Sequence, residues 1–139
     1  MTEKPPFTAS EITAAYRAYI DCLNRRDWDA LPDHVAAEVH HNDRPFGLPG
    51  YRAMLESDVR AIPDLAFNIA RLACEPPLIA AGLAFDCTPV GALFGLPVNG
   101  RRVQFTENVF YHYAPGPDGA PRIHRVWSVI DQAALAAQL

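Results

Sequence analysis

The apolar residues of this chain recur at helical spacing before Pro63 and alternate at strand spacing after it. The first helical pattern lies in "TASEITAAYRAYIDCLNRRD", which opens with Thr8-x-x-Glu11, a capping-box signature. A later helical pattern lies in "YRAMLESDVRAI", and Pro63 ends it because proline cannot continue a helix. The change of period therefore predicts helices in the first half of the chain and strands in the second.

Shorter segments complete this outline. A short second helix is predicted in "DWDALPDHV", with Asp27 as its N-cap and an end near Leu31 or Pro32. The next segment, "VAAEVHHND", favours a strand, and the prolines and glycines of "RPFGLPG" predict a loop. Three or four strands are predicted beyond Pro63, in "LAFNIARLA", "LIAAGLAFDCT", "RRVQFTENVFYHY" and "RIHRVWSVID".

Helices followed by strands, with connections too short for crossover helices, predict an α+β fold in which three N-terminal helices pack on one face of a curved antiparallel sheet. A chain of 139 residues is long enough for one core, so we expect a single domain over residues 1–139. Within it, residues 1–8 are expected to form a flexible N-terminal tail.

Composition excludes several classes of partner. The net charge of −4 argues against a nucleic-acid-binding surface. No stretch approaches the roughly 18 apolar residues of a membrane span, and "MTEKPPFTAS" lacks the apolar run of a signal peptide, so we expect a soluble protein without membrane contact. Three cysteines without a CxxC spacing predict free thiols and a cytoplasmic location. The absence of HxH and HExxH spacings argues against a metal site.

One acidic residue interrupts an otherwise apolar strand face. In "VQFTENVFYHY" the odd positions carry Val103, Phe105, Val109 and Tyr111, and Glu107 lies among them. Burying an ionised carboxylate without a partner is costly, so Glu107 must be paired, carry a proton or line a cavity that admits water. Desolvation would raise its pKa toward the range of a general acid or base, whereas the alternative is a structural hydrogen bond.

Two other strands leave the direction of their side chains open. In "VHHND" a strand sends His41 to the face opposite His40 and Asn42, and a slip of one residue exchanges the two histidines. In the last strand, Val126 and Trp127 favour opposite faces, so both faces are expected to be covered. An apolar outer face of a curved sheet is a natural dimer contact, and we expect a homodimer.

Several motifs resemble those of a known family. "IPDL" follows the third predicted helix, "FGLPVNGRRV" precedes a strand, and "RIHRVWSVID" is followed by "LAAQL". In this order they resemble the SnoaL-like polyketide cyclases, also called predicted ester cyclases, of the nuclear transport factor 2-like superfamily. The resemblance spans about Ala9 to Leu139, and "FGLPVNGRR" is its most specific signal.

This resemblance implies a cone-shaped curved sheet closed by helices around an apolar pocket. Members of the family close a ring by an intramolecular aldol reaction of a polyketide methyl ester, without a metal or organic cofactor. An aspartate takes a proton from an activated carbon, and hydrogen bonds in the pocket hold the enolate. The partner implied for this chain is a small apolar carbonyl-containing molecule, with no cofactor.

The sequence departs from the family at its chemical positions. The family's last strand reads close to H-W-D-x-x-D, and aligning Trp127 and Asp131 places the catalytic aspartate's position at Ser128 and the histidine's at Val126. A serine hydroxyl without a neighbouring base is no general base near neutral pH. Asp131 is expected to cap the terminal segment. We expect Glu107 to supply the missing carboxylate from the adjacent strand.

The candidate residues form two sets. The catalytic candidates are Glu107, His41 and Asn42. The substrate-binding candidates are Tyr16, Tyr19, Phe67, Val109, Tyr111, Val126, Trp127 and Ser128.

Three functions are consistent with these residues. The first is a cofactor-free cyclase or isomerase that transfers a proton on a carbonyl-activated apolar substrate. The second is a protein that binds a hydrophobic metabolite without converting it, which Ser128 favours. The third is an interaction module that uses its outer sheet face.

Overall fold

The computed structural model describes residues 4–139. Its longer helices precede Pro63 and most of its strands follow it, as the change of apolar spacing predicted. The elements are, in chain order, α1 (Ala9–Asn24), a 3₁₀ helix (Trp28–Asp33), β1 (Val35–His41), α2 (Gly47–Ala61), β2 (Asn68–Glu75), β3 (Leu78–Cys87), β4 (Ala92–Leu93), β5 (Leu96–Pro97), β6 (Val103–Pro115), β7 (Pro121–Ile130) and α3 (Gln132–Ala136). The α+β fold class is confirmed.

The predicted capping box starts α1. The Glu11 backbone N–H donates to Thr8 Oγ1 at 3.1 Å, and the Thr8 backbone N–H donates to Glu11 Oε1 at 2.9 Å. Two backbone N–H groups at the start of the helix thus have hydrogen-bond partners. Residues 1–3 of the expected N-terminal tail lie outside the described residues. Of the remainder, Phe7 packs against the core and Thr8 caps the helix.

Two local predictions need correction. The predicted second helix is present with Asp27 at its N-cap position, but it is a 3₁₀ helix that continues through Pro32 to Asp33, and the Asp27 side chain makes no capping hydrogen bond. The segment "RPFGLPG" was predicted as a loop, but α2 begins inside it at Gly47. Pro49 is tolerated there because the amides of the first helical turn have no partner within the helix.

The main sheet has five strands in the order β1-β7-β6-β3-β2. The pairs β2–β3, β3–β6 and β6–β7 are antiparallel, as predicted. The pair β1–β7 is parallel, which corrects the expectation of an antiparallel sheet throughout. The segment between β3 and β6 contains the two-stranded hairpin β4–β5.

The alternation predicted for β6 is confirmed, since Val103, Phe105, Val109 and Tyr111 are buried and their neighbours are exposed or half-buried. In β7 the register shifts by one residue against β6, where Tyr113 pairs with Ile123 and His112 with Arg125. This bulge reverses the alternation along β7. It explains why the sequence of β7 favoured neither face.

The helices cover one face of the sheet, which we call the inner face, and the main core lies between the two layers. On the opposite, outer face Phe110 is 52% exposed and Val129 72% exposed. The three cysteines are free. Across residues 4–139, no helix is long and apolar enough to cross a membrane, and no cluster of histidine, cysteine and acidic residues could hold a metal ion.

Candidate active site

A cavity of about 230 Å³ lies between the inner face of the sheet and helices α1 and α2. Its wall is mostly apolar and aromatic, with a few polar groups from both layers. The lining residues are Tyr19, Leu23, His41, Tyr51, Met54, Leu55, Asp58, Phe67, Leu83, Phe94, Glu107, Val109, Tyr111, Val126, Ser128 and Ile130. A smaller space of about 50 Å³ adjoins it and shares Asp58, Phe67, Phe94, Glu107 and Ile130 with it.

Glu107 carries its carboxylate into this cavity from β6. Strand pairing sets Glu107 opposite Ile130 and Val109 opposite Ser128, so Glu107 and Ser128 are diagonal neighbours on the inner face. Ser128 Oγ donates to Glu107 Oε2 at 2.9 Å. Within residues 4–139 no arginine, lysine or histidine forms an ion pair with Glu107. The carboxylate therefore has a hydroxyl partner and no counter-charge.

The pKa of Glu107 is raised to about 7, because burial disfavours the ionised carboxylate. The hydrogen bond from Ser128 acts in the opposite direction and lowers the pKa, since it favours the charged form. The negative charge of Asp58 raises the pKa further. A carboxyl group that titrates near neutral pH can both take and return a proton under ordinary conditions.

Asp58 is a second carboxylate in the cavity wall, and the sequence analysis missed it. It lies on α2, seven residues after Tyr51 and three after Leu55, both of which are buried. That spacing places Asp58 on the same helical face. Val59, one residue later, fits the edge of the same face equally well, so the helical spacing alone did not identify Asp58 as a residue of the cavity wall. Burial raises the pKa of Asp58 to about 6.

Four tyrosines bring hydroxyl groups to the cavity or behind its wall. Tyr19 Oη and Tyr51 Oη are 2.6 Å apart, and both side chains line the cavity. Tyr111 also lines it, and its hydroxyl is 3.3 Å from that of Tyr16. Burial raises the pKa of Tyr19 and Tyr51, so these hydroxyls stay protonated and can donate hydrogen bonds at neutral pH.

His41 is the histidine of the vicinal pair that lines the cavity. Its ring stacks on Phe46 with centroids 5.4 Å apart and lies 6.3 Å from the ring of Tyr51. Burial lowers the pKa of His41, and the positive charge of Arg44 lowers it further. His41 is therefore neutral at pH 7 and can act as a neutral hydrogen-bond donor.

Asn42 and Trp127 lie outside the cavity wall. The exposed Asn42 accepts a hydrogen bond on Oδ1 from the Ser128 amide at 2.8 Å, and its Nδ2 donates to the Ser128 carbonyl at 3.4 Å. Trp127 projects away from the cavity, and its Nε1 donates to Asp43 Oδ1 at 3.1 Å. The structure thus places Asn42 where it holds β7 and places Trp127 on the other side of the sheet.

The remaining predicted binding residues divide between the wall and the layer behind it. Phe67, Val109 and Val126 line the cavity, whereas Tyr16 packs behind Tyr111. Phe94, from the "FGLPVNG" segment, also lines the cavity and is 41% exposed, so it borders both the cavity and solvent. The motif "FGLPVNGRR" was recognised in the sequence, but its phenylalanine, Phe94, was not among the predicted site residues.

Known structures share this architecture. A SnoaL-like polyketide cyclase from Agrobacterium tumefaciens is 48% identical, with a TM-score of 0.86 over 91% of this chain and 95% of that one. TsrD from Streptomyces laurentii, 21% identical, has a TM-score of 0.78 over 95% of this chain and 96% of its own. IdmH from Streptomyces antibioticus, 17% identical, has a TM-score of 0.76 over 91% of this chain and 96% of its own. The last two likenesses show the fold alone.

Comparison with curated proteins gave no match. The family model described as SnoaL-like polyketide cyclase matches residues 13–139, which include α1 from Thr13 onward and every later element. The chain belongs to the SnoaL-like polyketide cyclase family.

Proposed function

We propose that this protein is a cofactor-free enzyme that transfers a proton on a small, apolar, carbonyl-activated substrate, and that Glu107 is its catalytic carboxylate. The observation that carries the proposal is the position of Glu107. Its carboxylate lines an apolar cavity, accepts a hydrogen bond from Ser128 and has no cationic partner among residues 4–139. The family membership supports a cyclase or isomerase type of reaction.

The chemistry begins with removal of a proton from the carbon next to the carbonyl group. The ionised carboxylate of Glu107 takes this proton, and the electron pair moves onto the carbonyl oxygen to give an enolate. Neutral donors that line the same cavity, Tyr51 and His41, can hydrogen-bond that oxygen. In an aldol cyclisation the enolate carbon then attacks a second carbonyl, whose π pair moves to its oxygen, and this oxygen takes the proton held by Glu107. In an isomerisation Glu107 instead returns the proton to another carbon.

Ser128 explains how a chain without the family's aspartate can still present a carboxylate. Aligning Trp127 and Asp131 with the family pattern puts Ser128 at the aspartate's position on β7, and the serine hydroxyl donates to the carboxylate that the neighbouring strand supplies. In this proposal Ser128 positions Glu107 and does not itself take a proton. Asn42 holds Ser128 through its backbone and acts as a positioning residue.

The test compares Glu107→Gln with Glu75→Gln, the same change at an exposed residue of β2. Phenylacetone, a compact apolar ketone, serves as the probe, and deuterium incorporation next to its carbonyl is followed by NMR in D₂O. Loss of a general acid–base group costs about 10²–10⁴-fold in rate, and we expect Glu107→Gln to fall in this range. Glu75→Gln should exchange at the wild-type rate. Full exchange by Glu107→Gln would exclude Glu107 as the catalytic group.

A second function, binding of a hydrophobic metabolite without turnover, is favoured by one observation, the serine at the family's aspartate position. The same experiment separates the two functions. A binding protein would retain phenylacetone in the cavity, seen as perturbed resonances of lining residues such as Phe67, but would not accelerate its exchange above the buffer rate.

We also propose that the protein is a cytoplasmic homodimer. The three free cysteines suit a reducing compartment, and the exposed Phe110 and Val129 form an apolar area on the outer sheet face that a second copy would cover. Size-exclusion chromatography with light scattering should give twice the mass of one chain. The double substitution Phe110→Asp with Val129→Asp should give a monomer, and a monomeric wild-type protein would contradict the dimer.

A further inference from the structure

Asp58 is a partly buried carboxylate without a partner. Its side chain lines both the main cavity and the smaller space beside it. Within residues 4–139 it makes no side-chain hydrogen bond and no ion pair, although surface carboxylates of the same chain, such as Glu56 on the same helix, do. A carboxylate held in an apolar wall without a partner is expensive unless it carries a proton or meets a ligand.

Glu107 and Asp58 face the same space from different layers. Glu107 comes from the sheet wall and Asp58 from the helical wall, and both border the two adjoining spaces. No lysine or arginine lines either space. A compact molecule in the cavity therefore has one carboxyl group on its sheet side and another on its helix side.

Two carboxyl groups in one apolar cavity titrate as a pair, because ionising one disfavours ionising the other. Burial raises the pKa of Glu107 to about 7 and that of Asp58 to about 6. Between these values the two groups together hold about one proton. One ionised and one protonated carboxyl group are what a base and an acid acting on the same substrate require.

We infer that Asp58 is a second catalytic carboxylate, which works across the cavity from Glu107 so that one group acts as base while the other acts as acid on the same substrate. This inference rests on the proposed function and deepens it. The proposed function has one carboxyl group, Glu107, acting as base beside neutral hydrogen-bond donors. The inference adds a second carboxyl group, Asp58, that acts as acid.

In the form that reacts, Glu107 is ionised and the shared proton is on Asp58. Because the pKa of Glu107 is the higher of the two, this is the less populated of the two one-proton forms. Glu107 takes the proton from the carbon next to the carbonyl group, and the electron pair of that C–H bond forms a C=C bond. The C=O π pair moves to the oxygen, which takes the proton of Asp58 to give a neutral enol. Asp58 is left ionised and Glu107 protonated. Return of the enol proton to Asp58 and delivery of the Glu107 proton to carbon restores the pair.

The test uses Asp58→Asn, with Glu56→Gln as the control on the same helix outside the cavity. Deuterium exchange of phenylacetone is measured from pH 5 to 9. A base and an acid acting together predict a bell-shaped profile for the wild type. We expect Asp58→Asn to lose about 10²-fold or more in rate and to lose the alkaline limb, because the acid is gone while Glu107 still has to be ionised. Glu56→Gln should keep both the rate and the bell shape.

Other ionisable groups also face Asp58 and Glu107 across the cavity. The variants Asp58→Glu and Asp58→Asn together distinguish the effect of Asp58 on the pH profile from the effects of these groups. These groups are His41 from β1, Tyr19 from α1, Tyr51 from α2 and Tyr111 from β6. Asp58→Glu keeps a carboxyl group on the helical wall and should retain both limbs. If the alkaline limb came from His41 or a tyrosine, it would persist in Asp58→Asn, and the inference would be overturned.

Failure of the inference differs from failure of the proposed function. Wild-type exchange in Asp58→Asn, together with loss in Glu107→Gln, would remove Asp58 from the chemistry and leave Glu107 in place. If the Asp58→Asn variant exchanged slowly but kept both limbs of the pH profile, Asp58 would have only a structural role. That result would also overturn the inference. A wild-type protein that never exceeds the buffer rate would contradict both proposals.

Discussion

At the scale of single residues, the proposed proton transfer depends on the pair formed by Ser128 and Glu107. The serine hydroxyl donates to the carboxylate at 2.9 Å. Burial raises the pKa of Glu107 and this hydrogen bond lowers it, and the net pKa is about 7. Ser128 therefore keeps more of Glu107 ionised at neutral pH than burial alone would allow.

Removing the hydroxyl tests this role of Ser128. In Ser128→Ala the pKa of Glu107 should rise above its wild-type value, because the ionised form loses its hydrogen bond. The acidic limb of the exchange profile should move to higher pH by the same amount. The profile of deuterium exchange against pH measures the shift, and an acidic limb that stayed in place or moved to lower pH would contradict it.

Glu107 could be predicted because strand alternation is a local pattern, and a carboxylate among apolar residues interrupts it visibly. Asp58 could not be separated from Val59 in the same way, because a helical face is broad and either residue fits its edge. The position of His41 depended on the register of β1, which the local sequence leaves open.

At the scale of secondary-structure elements, the edge between β1 and β7 holds the serine in place. The backbone N–H of Asn42 donates to the Val126 carbonyl at 2.8 Å, and the Asn42 side chain accepts a hydrogen bond from the backbone N–H of Ser128. The backbone of Asn42 has φ 49°, a conformation that asparagine tolerates better than most residues. Asn42 thus joins the end of β1 to the strand that carries Ser128.

Asn42→Ala should lower the free energy of unfolding by about 1–2 kcal/mol, because hydrogen bonds to the β7 backbone are lost and alanine is strained at this φ. Urea unfolding measures the change. Asn99→Ala is the matched control, since Asn99 is exposed and has a similar backbone conformation (φ 48°) but makes no side-chain hydrogen bond within residues 4–139. Equal stability of the two variants would show that the Asn42 hydrogen bonds contribute nothing.

The pairing of β1 with β7 could not be predicted from the sequence. The two strands are separated by most of the chain, and their parallel register contains an irregularity between Val35 and His40. The bulge in β7 likewise depends on its partner β6 and not on a local pattern. Local periodicity predicted the type and order of the long elements, whereas strand order and registers follow from long-range packing.

At the scale of the whole molecule, the cavity makes stability depend on pH. The pKa of Glu107 is raised from 4.5 to about 7 on folding, so its favourable contribution is complete below pH 4.5 and is lost as pH rises through 7. Asp58, raised from 3.8 to about 6, acts in the same direction. The two carboxyl groups of the apolar cavity thus lower the stability of the folded protein at neutral pH.

Glu107→Gln should gain stability relative to the wild type as pH rises from 4.5 to 8, by at most about 3 kcal/mol, because glutamine never ionises. Urea unfolding at a series of pH values gives the two curves. Glu75→Gln should show no such gain, because Glu75 is exposed. Parallel curves for Glu107→Gln and the wild type would mean that Glu107 is solvated in the folded protein.

The most direct measurement is the titration of the Glu107 side-chain carboxyl by ¹³C NMR, assigned by comparison with Glu107→Gln. A carboxyl group held in an apolar cavity beside Ser128 and Asp58 should titrate with a midpoint of about 7. A midpoint near 4.5, the ordinary value for glutamate, would show that water reaches the group freely, and Glu107 would then have no role in proton transfer at neutral pH.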